Sequence, residues 1–457
     1  MSHCAAPYPA VLAHLAIITP PLVGHLNALQ ALGRVLVARG HRVTLLGPED
    51  ARRWVWPGIG FEPVGAATHP AGHADAQAAR MGRLFGPLGM AAMLRDLADD
   101  TAMIARDAPR AIERLGVDAL VVDQLEPGGG VVARGLGLPY MSVACALPIE
   151  RDADVPPVFV GWRYDPSSYG RWWNEGGHRV ADWLMRRQHR ELAAAAERFG
   201  LEPHSRPSDW ISPTLSVSQT VRGLDYPRHA APATLHHVGP LRVPDGREFP
   251  IERDGRPLVF ASLGTLQGAR GRLFKAIAGA ARDADMQLVM VHCGRLSPDK
   301  VAKLPGMGER GGPIVTDFVP QAAVLAQADL AVLHGGLNTV MDALATRTPM
   351  VVMPLAFEQP AIAARLERAG VAQKVSPWGT GWGGGRHDNL LTAMERVAND
   401  TSMSHRLGAL AREIEKAGGA ERAADLAETL LLGIEREESN VTPFPARSQP
   451  SADRGVA

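Results

Sequence analysis

Apolar positions in this chain fall into short unbroken runs separated by longer segments of helical period, and the theme occurs twice. Near the start, LAIIT is followed by the turn PPLVGH, then LNALQALGRVLVARG, then RVTLLG. An unbroken apolar run predicts a strand covered on both faces, while leucines recurring every three or four residues predict a helix. Gly40 closes that helix, since glycine is the usual residue just past a helix end. Near the middle, RPLVFASLGT, RGRLFKAIAGAARDA and QLVMVHC begin the same pattern again. Two such units, each continued by alternating strands and helices, predict an α/β chain with two Rossmann-like doubly wound parallel sheets. Ligands bind such sheets at the carboxyl ends of the strands, so two facing domains would enclose a binding cleft.

The expected boundaries follow from where the pattern lapses. YPRHAAPATLHHVGPLRVPDGREFPIERDGRP is rich in proline and turn residues. The N-terminal domain is expected at 11–241, ending in a strand at His237–Val238, with a linker at 242–257 and the C-terminal domain at 258–437. RLGALAREIEKAG and RAADLAETLLLGIERE are the last helices of the fold. Residues 1–10 read as a flexible leader, and 438–457, polar and rich in proline and serine, as a disordered tail.

Composition narrows the function classes. The chain has 457 residues, long enough for two cores, and its 48 lysines and arginines balance 48 aspartates and glutamates. Nothing in that balance recruits nucleic acid or a strongly anionic surface. Cys4, Cys145 and Cys293 are too widely spaced for a zinc site or a disulfide framework. They read as ordinary buried thiols of a cytoplasmic protein. The first apolar run, Val11–Val23, is broken by His14 and Pro20-Pro21, so it predicts neither a membrane span nor a secretory signal.

The densest chemistry lies in FVPQAAVLAQADLAVLHGGLNTVMDALATRTPMVVMPLAFEQ, Phe318 to Gln359. A buried strand at Ala331–Leu333 feeds His334-Gly335-Gly336 and a helix start, and a second strand, Met350–Met353, leads to Glu358-Gln359. A glycine turn opening a helix is an anion site: backbone comes close to the ligand, and free amides with the positive helix end face a phosphate. Asn338 and Asp342 lie one helical turn apart and can face one ligand. The pattern predicts a site for a nucleotide diphosphate carrying a sugar.

This segment resembles the donor signature of the family 1 glycosyltransferases, which move a sugar from a UDP-sugar to a small acceptor. The plant form starts with Trp, carries His-Cys-Gly-Trp-Asn-Ser and ends Asp-Gln; here Phe318, His334-Gly335-Gly336-Leu337-Asn338-Thr339 and Glu358-Gln359 stand at matching places. The resemblance implies a GT-B fold, in which the last helix crosses back to the first domain. It implies that Phe318 stacks on uracil, with the Val319 backbone and Gln321 near the base and ribose. His334, the Gly336 amide, Asn338 and Thr339 would cradle the diphosphate, met from the other side by Ser262, Gly264 and Thr265 of the turn SLGT. Asp342 stands for the family's ribose-binding glutamate, and Glu358 and Gln359 would bind sugar hydroxyls. Glu358 replaces the usual aspartate, which leaves glucose against another hexose open.

Attack by an acceptor hydroxyl needs a base, and a neutral imidazole suits that task near pH 7. His25, in the turn after the first strand, is the candidate. Its ring needs an orienting acceptor, as in the serine-hydrolase template. Asp123, ending DALVVDQ, falls where the family has that aspartate, whereas Asp118 begins the same strand at the wrong end. The usual family proline three residues past the histidine is Ala28 here.

Two Asp-x-Asp triplets, Asp152–Asp154 and Asp283–Asp285, follow no buried strand in the way a metal-dependent transferase requires. No metal is therefore expected, and UDP-glucose is expected as a co-substrate with no further cofactor. VDQLEPGGG, SVACALPIERD, DWLMRR, HHVGPLR, FASLGTLQG and VHCGRLS resemble more closely a bacterial branch of the family that glucosylates the ring hydroxyls of a carotenoid diol. That branch implies an inverting transfer giving mono- and then diglucosides. A carotenoid longer than the cleft also implies peripheral contact with the inner face of the cell membrane, and the aromatic-bearing stretches RRWVWPGIGF, RMGRLFGPLGMAAML and VFVGWRYDPSSYGRWW could line an acceptor channel or touch that membrane. Two alternatives stay open: a related transferase acting on a macrolide, phenol or lipid, and a UDP-sugar epimerase, which shares the twin-sheet architecture.

Overall fold

In the computed structural model, which describes residues 12–83, 86–243, 246–378 and 385–434, the apolar runs become strands of two all-parallel sheets. The leader, the tail and part of the loop SPWGTGWGGGRHDN lie outside the described residues. The first sheet contains β1 (His14–Ile18), β2 (Arg42–Gly47), β3 (Gly60–Pro63), β4 (Ala119–Asp123), β5 (Tyr140–Ala144), β6 (Leu215–Ser218) and β7 (Leu235–His237). Their order is β3-β2-β1-β4-β5-β6-β7, so the winding direction reverses between β1 and β4. The second contains β8 (Leu258–Ser262), β9 (Gln287–Val291), β10 (Ile314–Thr316), β11 (Leu330–Leu333), β12 (Met350–Val352) and β13 (Ala372–Lys374). Its order, β10-β9-β8-β11-β12-β13, reverses between β8 and β11. Such switch points are where open α/β sheets bind ligands.

Period-two alternation explains why the central strands of the first sheet carry apolar residues on both faces. Leu15 and Ile17 of β1, Val43 and Leu45 of β2 and Val121 of β4 pack on one face with Leu26, Leu29, Leu32 and Leu36 of the helix Val23–Ala38. Ala16, Ile18, Leu46, Leu120 and Val122 face the other way, onto Met103, Ile104 and Ile112 of the helix Gly86–Leu115. Each face is covered by helices, so both favour apolar side chains, and the polar ones among them are hydrogen-bonded, as His14 is to Thr44.

The chain divides into two compact units, one formed by the described residues up to 243 together with those from 417, the other by 246–416. The helix Gly419–Leu431 thus belongs with the first sheet: it is the crossing last helix that the resemblance implied at the end of the range 258–437. Its small face is the physical reason. Ala420, Ala423, Ala424 and Ala427 let it sit closely on the Leu26–Leu36 stripe. Charge fixes it: the Arg39 guanidinium reaches Glu421, Asp425 and Glu428 at 2.6, 2.8 and 2.6 Å, and His41 Nε2 lies 2.8 Å from the other oxygen of the buried Glu428. Glu428→Ala leaves Arg39 two remaining carboxylates but strands His41, and is expected to cost about 2 kcal/mol in the unfolding transition of the first unit, read by calorimetry.

Candidate active site

The first constellation gathers at the switch point of the first sheet. Ile18 of β1 pairs with Val122 of β4, so the next residue, Thr19, comes level with Asp123. His25 does not lie in a turn, as expected, but in the first turn of the helix Val23–Ala38. Pro20-Pro21 and the extended Leu22 complete the turn by themselves, and the His25 amide already donates to the Leu22 carbonyl. That start aims the ring at β4: His25 Nδ1 donates to Asp123 Oδ2 at 2.7 Å. Thr19 Oγ1 donates to the same oxygen at 2.8 Å, and the Leu125 amide donates to Oδ1 at 3.0 Å.

Asp123 is almost wholly buried, which by itself would raise its pKa. The His25 ring, the Leu125 amide and the Thr19 hydroxyl outweigh that burial and hold the carboxyl below its ordinary value. With an ionised acceptor on Nδ1, the imidazole proton resides on that nitrogen and Nε2 carries the lone pair. The arrangement is that of an oriented general base.

A fourth group completes the cluster. Cys145 follows β5, which pairs with β4 so that Val143 lies opposite Asp123. Its sulfur, a ring nitrogen of His25 and a carboxylate oxygen of Asp123 lie within 4.8 Å of one another. Burial, then the Asp123 charge and a hydrogen bond to it, push the Cys145 thiol well above its usual pKa. A transition metal at this trio would need the thiolate, and would compete with the proton that joins His25 to Asp123. The chemistry of the trio therefore fits a proton-handling pair with a thiol donor better than a metal centre. Sequence reading missed Thr19 and Cys145 as partners of Asp123; their common signal is that each closes a strand flanking β4.

The second constellation occupies the switch point of the second sheet. His334 follows β11, and its ring is wedged between two backbone turns: a Cβ on Gly264 would come within 2.7 Å of its Nε2, and one on Gly336 within 2.5 Å. Gly264 also has φ +72°, outside the range that side chains favour. Gly264 and Thr265 open a short helix, Gly264–Gln267, rather than a plain turn, and the Gly264 amide donates to Ser262 Oγ at 3.3 Å. Gly336 caps the helix Leu337–Ala345, which carries Asn338 and Thr339 in its first turn. The structure brings these residues together at the carboxyl ends of β8 and β11.

Burial drives the His334 pKa from the ordinary 6.5 down to about 4, the Ser262 backbone pulling weakly the other way. The unfolded chain therefore binds more protons than the folded one between those values, and stability falls as pH drops from 6.5 through 4. The gap corresponds to roughly 3 kcal/mol. Unfolding of the second unit followed by calorimetry across that window is expected to lose this slope in His334→Leu.

The remaining predicted donor residues have specific partners. Phe318, just beyond β10, is 69% exposed, the state a stacking platform requires. Val319 and Gln321 follow it into the helix Gln321–Leu325. Gln321 Nε2 donates to Asp342 Oδ2 at 2.6 Å and Gln321 Oε1 accepts from Thr339 Oγ1 at 3.2 Å, so these three form one network. Glu358 is the half-buried cap of the helix Gln359–Ala369, preceded by Phe357 at φ +56°. Gln359 is buried, and its Oε1 accepts from the Leu355 and Ala356 amides at 2.8 and 2.9 Å. It shapes the loop after β12 with its side-chain carbonyl.

The carboxylates weighed for a metal are engaged elsewhere. Asp152 accepts from the Asp154 and Ala230 amides, Asp154 pairs with Arg171, and Asp283 pairs with Arg282 and His387.

Residues 183–413 match the family described as UDP-glucoronosyl and UDP-glucosyl transferase. The chain is 38% identical to a zeaxanthin glucosyltransferase of Pantoea ananas, over 92% of this chain and 96% of that protein. A zeaxanthin glucosyltransferase of Pseudescherichia vulneris is 36% identical, over 93% of this chain and 99% of its own length. Among solved structures, the glycosyltransferase of kitacinnamycin aligns with TM-score 0.72 at 24% identity, covering 92% of this chain and 99% of that one. The calicheamicin glycosyltransferase aligns with TM-score 0.70 at 20% identity, covering 92% and 98%. These structural likenesses carry the fold, two doubly wound parallel-sheet units of the GT-B class. With 38% identity across nearly the whole chain and the family match spanning half the sequence, the chain belongs to the UDP-dependent glycosyltransferases.

Proposed function

We propose that this enzyme moves glucose from UDP-glucose to the ring hydroxyls of zeaxanthin, with inversion and without a metal, giving the monoglucoside and then the diglucoside. The observation that carries the reading is the identity of 38% and 36% with two zeaxanthin glucosyltransferases across nearly the whole chain. The chemistry is supported residue by residue. His25 Nε2 takes the hydroxyl proton as the acceptor oxygen attacks the anomeric carbon, and Asp123 stabilises the imidazolium that forms. UDP leaves from the opposite face, so an α-linked donor yields a β-glucoside. Negative charge developing on the diphosphate meets His334, the first amides of the helix Leu337–Ala345, Asn338, Thr339 and the Ser262–Thr265 turn. The Asp-x-Asp carboxylates already bonded to arginine and backbone favour charge stabilisation by these donors rather than by a bound cation.

Phe318 stacks on the uracil, and the Val319 backbone, Gln321 and Asp342 serve the base and ribose. Gln321 would exchange its bonds to Asp342 and Thr339 for bonds to the nucleotide. Glu358 and the Gln359 amide bind the glucose hydroxyls. Among the described residues no helix is long and apolar enough to cross a membrane. We place the enzyme in the cytoplasm, in peripheral contact with the membrane that holds its lipophilic acceptor.

Purified enzyme, UDP-glucose and zeaxanthin in detergent, with and without EDTA, test the reading by chromatography and mass. Products heavier by one and two hexoses, insensitive to EDTA, are expected. UDP binding without any product would redirect the acceptor to other hydroxylated lipophiles.

A further inference from the structure

We propose that the exposed aromatic face of the helix Ser168–Leu184 docks on the interface of a lipid bilayer. The inference rests on the proposed function only for why a bilayer is approached. Tyr169, Trp172, Trp173, Val180 and Trp183 are 67%, 58%, 46%, 57% and 63% exposed. Their spacing of three, four and seven residues, with Gly176 between them, places them on one stripe. The opposite side is buried: Gly170, Asn174 and Ala181 face the protein. Asn174 Nδ2 donates to the Ala153 carbonyl at 3.0 Å, and His178 Nε2 donates to that of Val155 at 3.1 Å. The helix thus reverses the usual amphipathic arrangement, with polar groups inward and rings outward.

The rings form a pre-built platform. Trp172 and Trp173 lie 6.0 Å apart between centroids, Tyr169 is 6.0 Å from Trp172, and Trp162 backs Trp173 at 5.5 Å. Held against one another, they lose little rotamer freedom on docking. Tryptophan and tyrosine combine an apolar body with a polar tip, the chemistry that settles at the headgroup level of a bilayer.

Charge selects the same occupant. The whole chain is electrically balanced, yet residues 160–190 carry six exposed arginines; Arg171, Arg179 and Arg187 pair with Asp154, Glu175 and Asp99, which leaves Arg163, Arg186 and Arg190 as the local surplus among the described residues. Arg186 lies 4.5 Å over the Trp183 ring, so a cation and an aromatic body are presented together. A local cationic surplus around a stripe of interfacial rings complements lipid phosphates above acyl chains.

The test sediments the full-length protein with carotenoid-free vesicles of phosphatidylcholine, alone or with phosphatidylglycerol. The parent is expected to partition onto both, more strongly with phosphatidylglycerol. Replacing Trp172 and Trp183 with serine should weaken partition by about tenfold for each ring removed. An unchanged unfolding midpoint and unchanged UDP affinity establish that the variant is folded. A parent that stays in the supernatant, or a variant that partitions as well as the parent, overturns the proposal. So does an oligomer that the variant disperses without any vesicle binding, since the face would then receive a second copy. The vesicles contain no acceptor, so the outcome is separate from whether zeaxanthin is glucosylated.

Discussion

His25→Ala is expected to lower kcat by about 10²–10⁴-fold, the usual worth of a positioned general base, while UDP binds nearly as before. The two halves of that expectation rest on different units. The base sits at the β1–β4 switch point of the first sheet, whereas the residues assigned to UDP sit around β8, β10, β11 and β12 of the second. Removing the imidazole also leaves the ionised Asp123 with Thr19 and Leu125 as donors, so the carboxylate is not stranded and the fold should survive. Single-turnover rates for glucose transfer, beside UDP affinity by calorimetry, separate the outcomes. Near-normal turnover would remove His25 from the mechanism; loss of both turnover and UDP affinity would assign it to folding.

Much of this arrangement is legible in the sequence because it depends on local rules. Unbroken apolar runs give the strands, and in a doubly wound sheet the residue after a strand stands at the ligand-binding edge. Asp123 and Ser262, at the last positions of β4 and β8, and His334, just past β11, could be placed from that edge, and His25 from the motif. What escaped depends on neighbours distant in sequence. The helix Val23–Ala38 begins early because two prolines complete the turn, a three-dimensional consequence that the leucine period alone does not date. Thr19 and Cys145 become partners of Asp123 only once β1, β4 and β5 lie side by side in register.

The donor motif was harder to read in function than in position. Gln359 occupies its predicted place but spends its carbonyl on two backbone amides, and Gln321 and Asp342 hold each other. Periodicity says that such residues share a face; it does not say whether they wait for a ligand or satisfy the chain. The helix Ser168–Leu184 illustrates the same limit. Its aromatic stretch reads from sequence as an acceptor channel or a membrane contact, and only the burial of Asn174 on the other side turns the stripe outward.

Asp123→Asn should be at least as damaging as loss of the base, lowering kcat by about 10³–10⁴-fold, by analogy with the serine-hydrolase case in which amide for carboxylate inverts the histidine tautomer. The reason is a count of donors. Asp123 Oδ2 accepts from His25 Nδ1 and Thr19 Oγ1, Oδ1 accepts from the Leu125 amide, and the Cys145 thiol also bonds this carboxylate. An asparagine has one acceptor and one donor to offer them. With its NH₂ toward His25, the imidazole must accept at Nδ1, its proton moves to Nε2, and the ring can no longer take a proton from the acceptor hydroxyl. Flipped, the oxygen still accepts from His25, but the NH₂ confronts the Leu125 amide, donor against donor, at a nearly fully buried side chain. The first orientation loses the base, and the second keeps its tautomer only by leaving a donor unpaired. A variant that merely lost packing would reduce the folded fraction; this one should stay folded, keep its UDP affinity, and lose the acid limb of its kcat/KM–pH profile, because no ionised partner then supports the imidazolium. Retention of that limb with near-parental kcat would show that Asp123 does not orient the ring.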